Sequence, residues 1–442
     1  MNKQNTHVAV IGGGCAGLSA AVALIEQGVQ VTIFEASSQL GGRARTVAVE
    51  NNSLMHLLDN GQHILLGAYH ETLALLKKVG VKEQDALLRL PLQINMQTSF
   101  ANSAFMLKSA SYLPAPLNLL IGLLFSKGLS FKERLSAIKL MYKLKSTQYQ
   151  LTKDLPLAQF LLLQDQSETL IAMLWEPLCL AALNTPVEIA STRIFLNVLK
   201  DSFSGKKSNS DLLLPRHDLS QIISHPVANY IRAQGSNIKL NRRVRSLTEI
   251  PDGFNLETRD GPNFFSHVIV AVSPARVEKL LGALPKLKRV LDQTQAYAFQ
   301  PIYTIYLQYP QDTQLPHVIS GLTGLMGQWV FDRGQLCDQK GLIAVIISAE
   351  GMHQKMDQDD LALSVAQELH HAYPALTKPL WHKVIAEKRA TFSCTTHLAR
   401  PTNKTTQPNL FLAGDYTYAD YPATIEGAVR SGIKCAKLIL NS

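Results

Sequence analysis

The stretch HVAVIGGGCAGLSAAVALIEQGVQVTIFE, residues His7 to Glu35, decides the fold. Its first eight residues are an apolar run that closes on glycines, the pattern of a buried parallel strand. From Cys15 to Gln27, Leu18, Ala21, Val22 and Ile25 recur at helical spacing, and Gly28 stands where a helix C-cap belongs. Val31–Glu35 (VTIFE) reads as the second strand. Between strand and helix, Gly12, Gly14 and Gly17 form G-x-G-x-x-G. Gly12 permits the tight turn, Gly14 lets the backbone approach a pyrophosphate, and Gly17 lets helix and strand pack closely. The helix N-terminus supplies free N–H groups and positive partial charge for phosphates. Glu35 ends the second strand, where an acidic side chain receives a ribose hydroxyl. A carboxylate there favours an unphosphorylated ribose, as in FAD or NAD. The fold class expected is α/β, mixed with α+β features: a Rossmann-like dinucleotide domain carrying an inserted domain of sheet plus helices.

The remainder of the chain fits that frame. A length of 442 residues allows two or three domains. The hydrophobic fraction of 46% and charged fraction of 17% make it slightly more apolar than an ordinary soluble domain. A net charge of +9 suits nucleic acid, an acidic ligand or an anionic membrane, or is simply a solvated surface. Zinc-finger spacing and a basic arm with interleaved aromatics are both missing, so no nucleic-acid partner is expected. The five cysteines include no C-x-x-C pair, so no metal site is expected and free thiols in a reducing compartment are. The polar MNKQNT start is not a signal peptide, which points to the cytoplasm. Residues 75–200 read as mostly helical, and 237–272, 297–309 and 342–348 as strands. A helix is expected over 359–372, a strand over Asn409–Gly414, and a helix from Thr424 to Leu440. The polar run Gly205–Asp211 reads as a mobile loop.

Two further segments bear on the ligand. LGGRAR (Leu40–Arg45) follows the second strand, and AGDYTYADYPATIEGAVRSG (Ala413–Gly432) joins a strand to a helix. Both resemble the flavoprotein signatures of the amine oxidase and phytoene desaturase superfamily. That resemblance implies FAD, held non-covalently, with Gly42, Arg43 and Arg45 against the pyrophosphate. Arg43 is the bidentate candidate; a plain surface arginine cluster is the alternative. It also implies Gly414 and Asp415 at the ribityl–pyrophosphate region and the backbone N–H groups of Thr424 and Ile425 at the flavin edge, where a helix N-terminus stabilises the anion of the reduced ring. Val244, in RRVRSL, matches the superfamily's backbone contact to adenine. A second G-x-G-x-x-G is missing, so NADPH or another reductant would have to visit the flavin directly; the sequence does not name the donor.

LDNGQHILLGAY (Leu58–Tyr69), LWEPLCLAALNTP (Leu174–Pro186) and SDLLLPRHDLSQI (Ser210–Ile222) narrow the family. With the flavin motifs they resemble the hydroxysqualene dehydroxylases of bacterial squalene and hopanoid synthesis, over nearly the whole chain. The reaction implied is reduction of an allylic C30 alcohol to squalene: the C–O bond ionises and hydride quenches the cation. The polar point of such a pocket would come from Asp59, His63 or Tyr303, with His63 able to donate at neutral pH. Orientation of the loop and FAD binding is the alternative role for Asp59 and His63. Trp175 is expected to pack, and Asn184 is left open. A carotenoid or dehydrosqualene desaturase is the second enzyme reading, and a prenyl-lipid carrier the non-enzyme one. Functional coupling to upstream squalene-forming enzymes follows from the first.

The expected domain division is 1–75, 205–285 and 390–442 for FAD, and 76–204 with 286–389 for substrate. Within the latter, 112–145 reads as a membrane-contacting segment. Tyr112–Phe125 is nearly uncharged but too short to span a bilayer. Phe131–Lys145 follows as a basic helix with Leu135, Ile138, Met141 and Tyr142 on one face. The expected location is peripheral, on the inner face of the cytoplasmic membrane.

Overall fold

The computed structural model describes residues 6–51, 53–98 and 103–441. Its framework is a five-stranded parallel sheet ordered Asn237–Lys239, Gln30–Phe34, His7–Ile11, His267–Val270, Leu410–Leu412. The strand at the centre is the first one, so the order reverses on either side of it. Ligands of open α/β sheets sit beyond the carboxyl ends of the strands at that switch point. The residues that follow the strands there are Gly12, Glu35, Ala271 and Ala413.

The helix Cys15–Ile25 is apolar on every side, and every residue from Cys15 to Val22 is buried. A helix that is hydrophobic all round must be covered all round. Its second cover is the C-terminal helix Ile425–Leu440. At the crossing, a Cβ on Gly432 would lie 2.1 Å from the Ala16 carbonyl oxygen. Small residues at the contact bring the two chain ends into one layer. Gly28, at φ +76°, ends the first helix as its C-cap position predicts, and its N–H donates to the Ile25 carbonyl.

A three-stranded antiparallel meander, Ser246–Ile250, Gly253–Thr258 and Gly261–Phe265, branches from the parallel sheet. The second large sheet has seven strands, ordered Trp381–Phe392, Phe299–Gln308, Leu342–Ser348, Trp329–Asp332, Ile319–Leu322, Gln93–Gln97, Ser103–Lys108. One face is covered by the helix Gln358–Ala372, whose Leu361, Val365 and Leu369 pack on Ile305, Leu307 and Val345. The helices Leu117–Leu124, Phe131–Ser146, Glu176–Leu183 and Thr192–Phe203 contribute to one hydrophobic core with strand residues of both sheets.

Three local expectations are corrected. The stretch expected to be mostly helical contains the strands Leu87–Leu90 and Gln93–Gln97, held by the distant strands Leu212–Pro215 and Ile319–Leu322, and Ser103–Lys108, paired with Gln93–Gln97. Arg242–Arg245 is not a strand but the extended link between Asn237–Lys239 and the meander. The polar run 205–211 forms a packed 3-10 turn, with Asn209 and Ser210 buried and the Asn209 Nδ2 donating to the Asp201 carbonyl.

Candidate active site

One cavity of about 870 Å³ runs from the ends of the parallel strands to the inner face of the second sheet. Its polar end is built from glycines. Gly12 sits at φ +116°, and a Cβ there would meet the Ala271 carbonyl oxygen at 2.4 Å. A Cβ on Gly17 would strike the Gly12 carbonyl oxygen at 2.0 Å, so Gly17 shapes the turn without lining the cavity. The second glycine pair lies against the first: Gly41 N donates to the Gly13 carbonyl at 2.9 Å, and a Cβ on Gly42 would lie 3.3 Å from Gly14 Cα. The result is a bare backbone patch at a helix N-terminus, which is what a pyrophosphate needs.

Charged groups complete that end. The Glu35 carboxylate accepts from Gly13 N and Ser37 N, both at 2.8 Å. Arg43 pairs with the buried Asp415 at 2.7 Å and donates to the Ala390 carbonyl at 2.7 Å. Arg45 donates from Nη1 to the Gly42 carbonyl, and its buried Nε has no partner. An orphan guanidinium donor on the cavity wall fits an anionic ligand, since a buried donor left unpaired costs stability. Val244, Gly414, Thr424 and Ile425 also line this cavity. Glu35 from the first βαβ unit and Asp415 from the last strand therefore share one cleft.

Glu426, beside them, is fully buried and serves elsewhere. It accepts from Glu71 N, Thr72 N and Thr72 Oγ1 and pairs with Arg430, clamping the helix His70–Lys78 to the C-terminal helix.

The other arm is apolar, walled by Leu183, Phe195, Leu199, Trp329, Phe331 and Ile346. Asn184, in a left-handed conformation at a helix end, lies on this wall. Its amide donates to the Pro301 carbonyl and Thr391 Oγ1 and accepts from Ala349 N, tying helix to sheet. Trp175 is packed, its indole N–H donating to Gln166 Oε1 at 3.0 Å.

The three candidates for the polar point separate. His63 lines the cavity, but its Nδ1–H donates to the Gly61 carbonyl at 2.6 Å. Burial, with the nearby Arg43 charge, holds its pKa below the usual histidine value, although the Gly61 bond opposes this. The neutral ring therefore presents Nε2 as an acceptor, contrary to the donor role expected. Asp59 is buried behind the wall: Oδ1 accepts from Leu219 N at 2.8 Å, and Tyr306 O–H donates to its carbonyl. Burial pushes its carboxyl up to about 6, against the Leu219 hydrogen bond and the charge of Arg333. Tyr303 points to the other side of its sheet. Residues alternate along a strand: Ile302 faces the cavity, whereas Tyr303, Ile305 and Leu307 face the helix Gln358–Ala372. Tyr303 meets the His353 ring edge-on at 4.8 Å.

Two residues that the sequence reading passed over support the His63 segment. The fully buried Arg333 donates to Gln62 Oε1 and lies over the Tyr306 ring. Asn60 N donates to the Arg45 carbonyl, and the Asn60 side-chain Oδ1 accepts from Arg45 N. The segment Asn60–His63 is thus pinned from both halves of the molecule.

Residues 15–440 match the model of the flavin-containing amine oxidoreductases. The chain belongs to that family. Its cofactor is FAD, and it is an oxidoreductase. Among its relatives, the hydroxysqualene dehydroxylase of Zymomonas mobilis is 28% identical over 99% of both chains. That of Rhodopseudomonas palustris is 27% identical over 98% of both. A probable zeta-carotene desaturase of Synechococcus elongatus is 24% identical over 99% of both. Among solved structures of the fold, a putrescine oxidase superposes with a TM-score of 0.74 over 99% of both chains at 16% identity. The cradle described above fits the flavin of this family: it offers a bare glycine backbone, the unpaired Arg45 Nε and two helix N-termini to an anionic nucleotide.

Proposed function

We propose that the protein reduces hydroxysqualene to squalene, removing an allylic hydroxyl and replacing it with hydride. The observation that carries this reading is the continuity of a dinucleotide cradle with an apolar arm in one cavity, in a chain whose full-length relatives include hydroxysqualene dehydroxylases. FAD, when bound and reduced, supplies the hydride. Everything else falls to the chain's own side chains. Gly12, Gly14 and Gly42 open room for the pyrophosphate, with Arg43 and Arg45 beside it. Glu35 receives ribose hydroxyls, Val244 adjoins adenine, and Gly414 with Asp415 holds the ribityl end. Thr424 caps the C-terminal helix through its bond from Gly427 N, leaving that helix's first turn, with Ile425, facing the cavity. The apolar wall excludes water and holds the isoprenoid chain, and His63 Nε2 accepts the hydrogen of the substrate hydroxyl, fixing which carbon is presented.

In this reading residues 1–75, 205–285 and 390–442 serve FAD, and 76–204 and 286–389 serve the substrate. The protein works at the inner face of the cytoplasmic membrane, next to the squalene-forming steps that supply its substrate. Support comes from the surface. Phe131, Leu135, Ile138 and Tyr142 fall on one stripe of the helix Phe131–Ser146, and Phe131 and Tyr142 are 62% and 72% exposed. In the segment before that helix, Tyr112 and Phe125 are 81% and 73% exposed. Lys132, Lys139 and Lys143 flank the stripe. An apolar strip bordered by lysines suits an anionic bilayer surface. Met141, expected on this face, is instead buried. No helix among the described residues is long and apolar enough to cross a membrane.

A desaturase reading, with hydride moving from substrate to flavin, is favoured by the carotene desaturase relative. Anaerobic photoreduced enzyme separates the two. Hydroxysqualene should yield squalene and oxidised flavin; unchanged substrate and persistently reduced flavin would exclude the proposal.

A further inference from the structure

Among the described residues, three acidic side chains line the cavity: Glu35, Asp415 and Glu387. Two are already committed. Glu35 accepts two backbone N–H groups, and Asp415 is paired with Arg43. The Glu387 carboxylate has no hydrogen-bond partner among the described residues. It stands on Trp381–Phe392 opposite Ile302, which is opposite Ser348 on the next strand. Cross-strand partners share a face, and all three line the cavity. Three residues further along the same strand, the Ala390 carbonyl accepts from Arg43. Glu387 is therefore at the join between the glycine cradle and the apolar arm, where the reacting end of a long substrate must meet the ring.

The chemistry needs a proton at this join. Hydroxide departs poorly, and protonating the leaving oxygen is work for a positioned acid. The imidazole, thiol and phenol groups on the wall do not supply one. His63 has its one N–H committed to Gly61. Burial pushes the Cys15 thiol up to about 11 and the Tyr69 and Tyr421 phenols well above their ordinary range. Asp59 and Tyr303 are absent from the wall. The charged group that interacts with Glu387 is Arg43, which is itself paired with Asp415.

We propose, building on the reading given under Proposed function, that Glu387 is the general acid of the reaction. Its carboxyl proton passes to the allylic oxygen as the C–O bond breaks, and the bonding pair leaves with the oxygen as water. The allylic carbon, left cationic, takes up hydride from the reduced cofactor. The Glu387 carboxylate then regains a proton from solvent, so each turnover consumes one proton and one hydride and yields one water.

The test is single turnover of anaerobically reduced holoenzyme with hydroxysqualene, across pH, for wild type and Glu387→Gln. Flavin content and the absorbance shift on substrate binding are measured alongside. Wild type should slow as pH rises. The glutamine variant should keep its flavin and the binding shift, lose roughly 10²- to 10⁴-fold in rate, and lose the pH dependence. A rate within threefold of wild type at every pH would overturn the assignment. If the variant fails to hold flavin, the wild-type profile still decides: a rate flat from acid to alkaline pH overturns it. Wild type that forms no squalene at all would instead refute the dehydroxylase reading itself.

Discussion

Gly432→Ala probes the contact that unites the two ends of the chain. The added Cβ would lie 2.1 Å from the Ala16 carbonyl oxygen, 2.2 Å from Ser19 Oγ and 2.9 Å from Ala20 N. Ordinary carbon contacts lie at 3.5–4.0 Å, so the two helices must separate by about 1 Å or more. Three effects compete. Alanine is the better helix former, by roughly 1 kcal/mol. Overpacking a close backbone contact costs about 1–3 kcal/mol. The Ser19 hydroxyl, which bonds the Val429 carbonyl at 3.2 Å, loses about 1 kcal/mol more. The net expectation is a loss of about 1–3 kcal/mol, larger for Gly432→Val. Because both helices present their N-termini to the cavity, flavin should be lost along with stability. Urea unfolding of the holoprotein and flavin content after gel filtration measure the two. Variants that keep full flavin and unfold within about 0.5 kcal/mol of wild type would refute the claim that this crossing builds the cradle.

Asp59 gives a pH signature. Its folded pKa of about 6 lies above the unfolded value, so the native state binds the extra proton, and stability falls as pH rises from about 4 to 6. The penalty at neutral pH is about 2–3 kcal/mol, and Asp59→Asn should relieve most of it, seen as a smaller stability difference between pH 4 and pH 7. His63→Ala should retain flavin yet bind the substrate alcohol more weakly, with a rate loss of about tenfold, comparable to one neutral hydrogen bond; wild-type turnover would remove His63 from the site's chemistry. Phe131→Asp with Tyr142→Asp should abolish flotation with anionic vesicles while leaving turnover of detergent-dispersed substrate intact. Binding to neutral vesicles as strong as to anionic ones would argue against the lysine border. Arg43→Met should strip the flavin and destabilise the fold, because it leaves the buried Asp415 unpaired; spectra of the purified variant report the first effect and thermal unfolding the second.

The parts of this architecture that the sequence foretold rest on local signals. Glycine spacing and helical periodicity marked His7–Glu35, and the terminal Asn409–Leu440 strand and helix carried equally clear patterns. The strand Gln93–Gln97 escaped because it is held by Ile319–Leu322, more than 200 residues away, and Ser103–Lys108 pairs onto it at the sheet edge. Tyr303 illustrates a different limit. Alternation along Phe299–Gln308 fixes which residues share a face, but both faces are apolar, so nothing local says which one meets the cavity. The helix Gln358–Ala372 decides it. The role of His63 depends on a carbonyl two residues away that locks the ring tautomer, a matter of backbone geometry. Glu387 passed unnoticed because EKRATF reads as a charged edge; only its pairing with Ile302 turns it inward.

The central claim is that one cavity brings reduced flavin to an allylic alcohol and replaces its oxygen with hydride. Reduction of the enzyme and turnover in deuterated water test it most directly. Squalene carrying a single deuterium at the carbon that bore the hydroxyl, formed one for one with oxidised FAD, is the predicted result. A product with an added double bond and no deuterium at that carbon, or squalene formed while the flavin stays reduced, would contradict it.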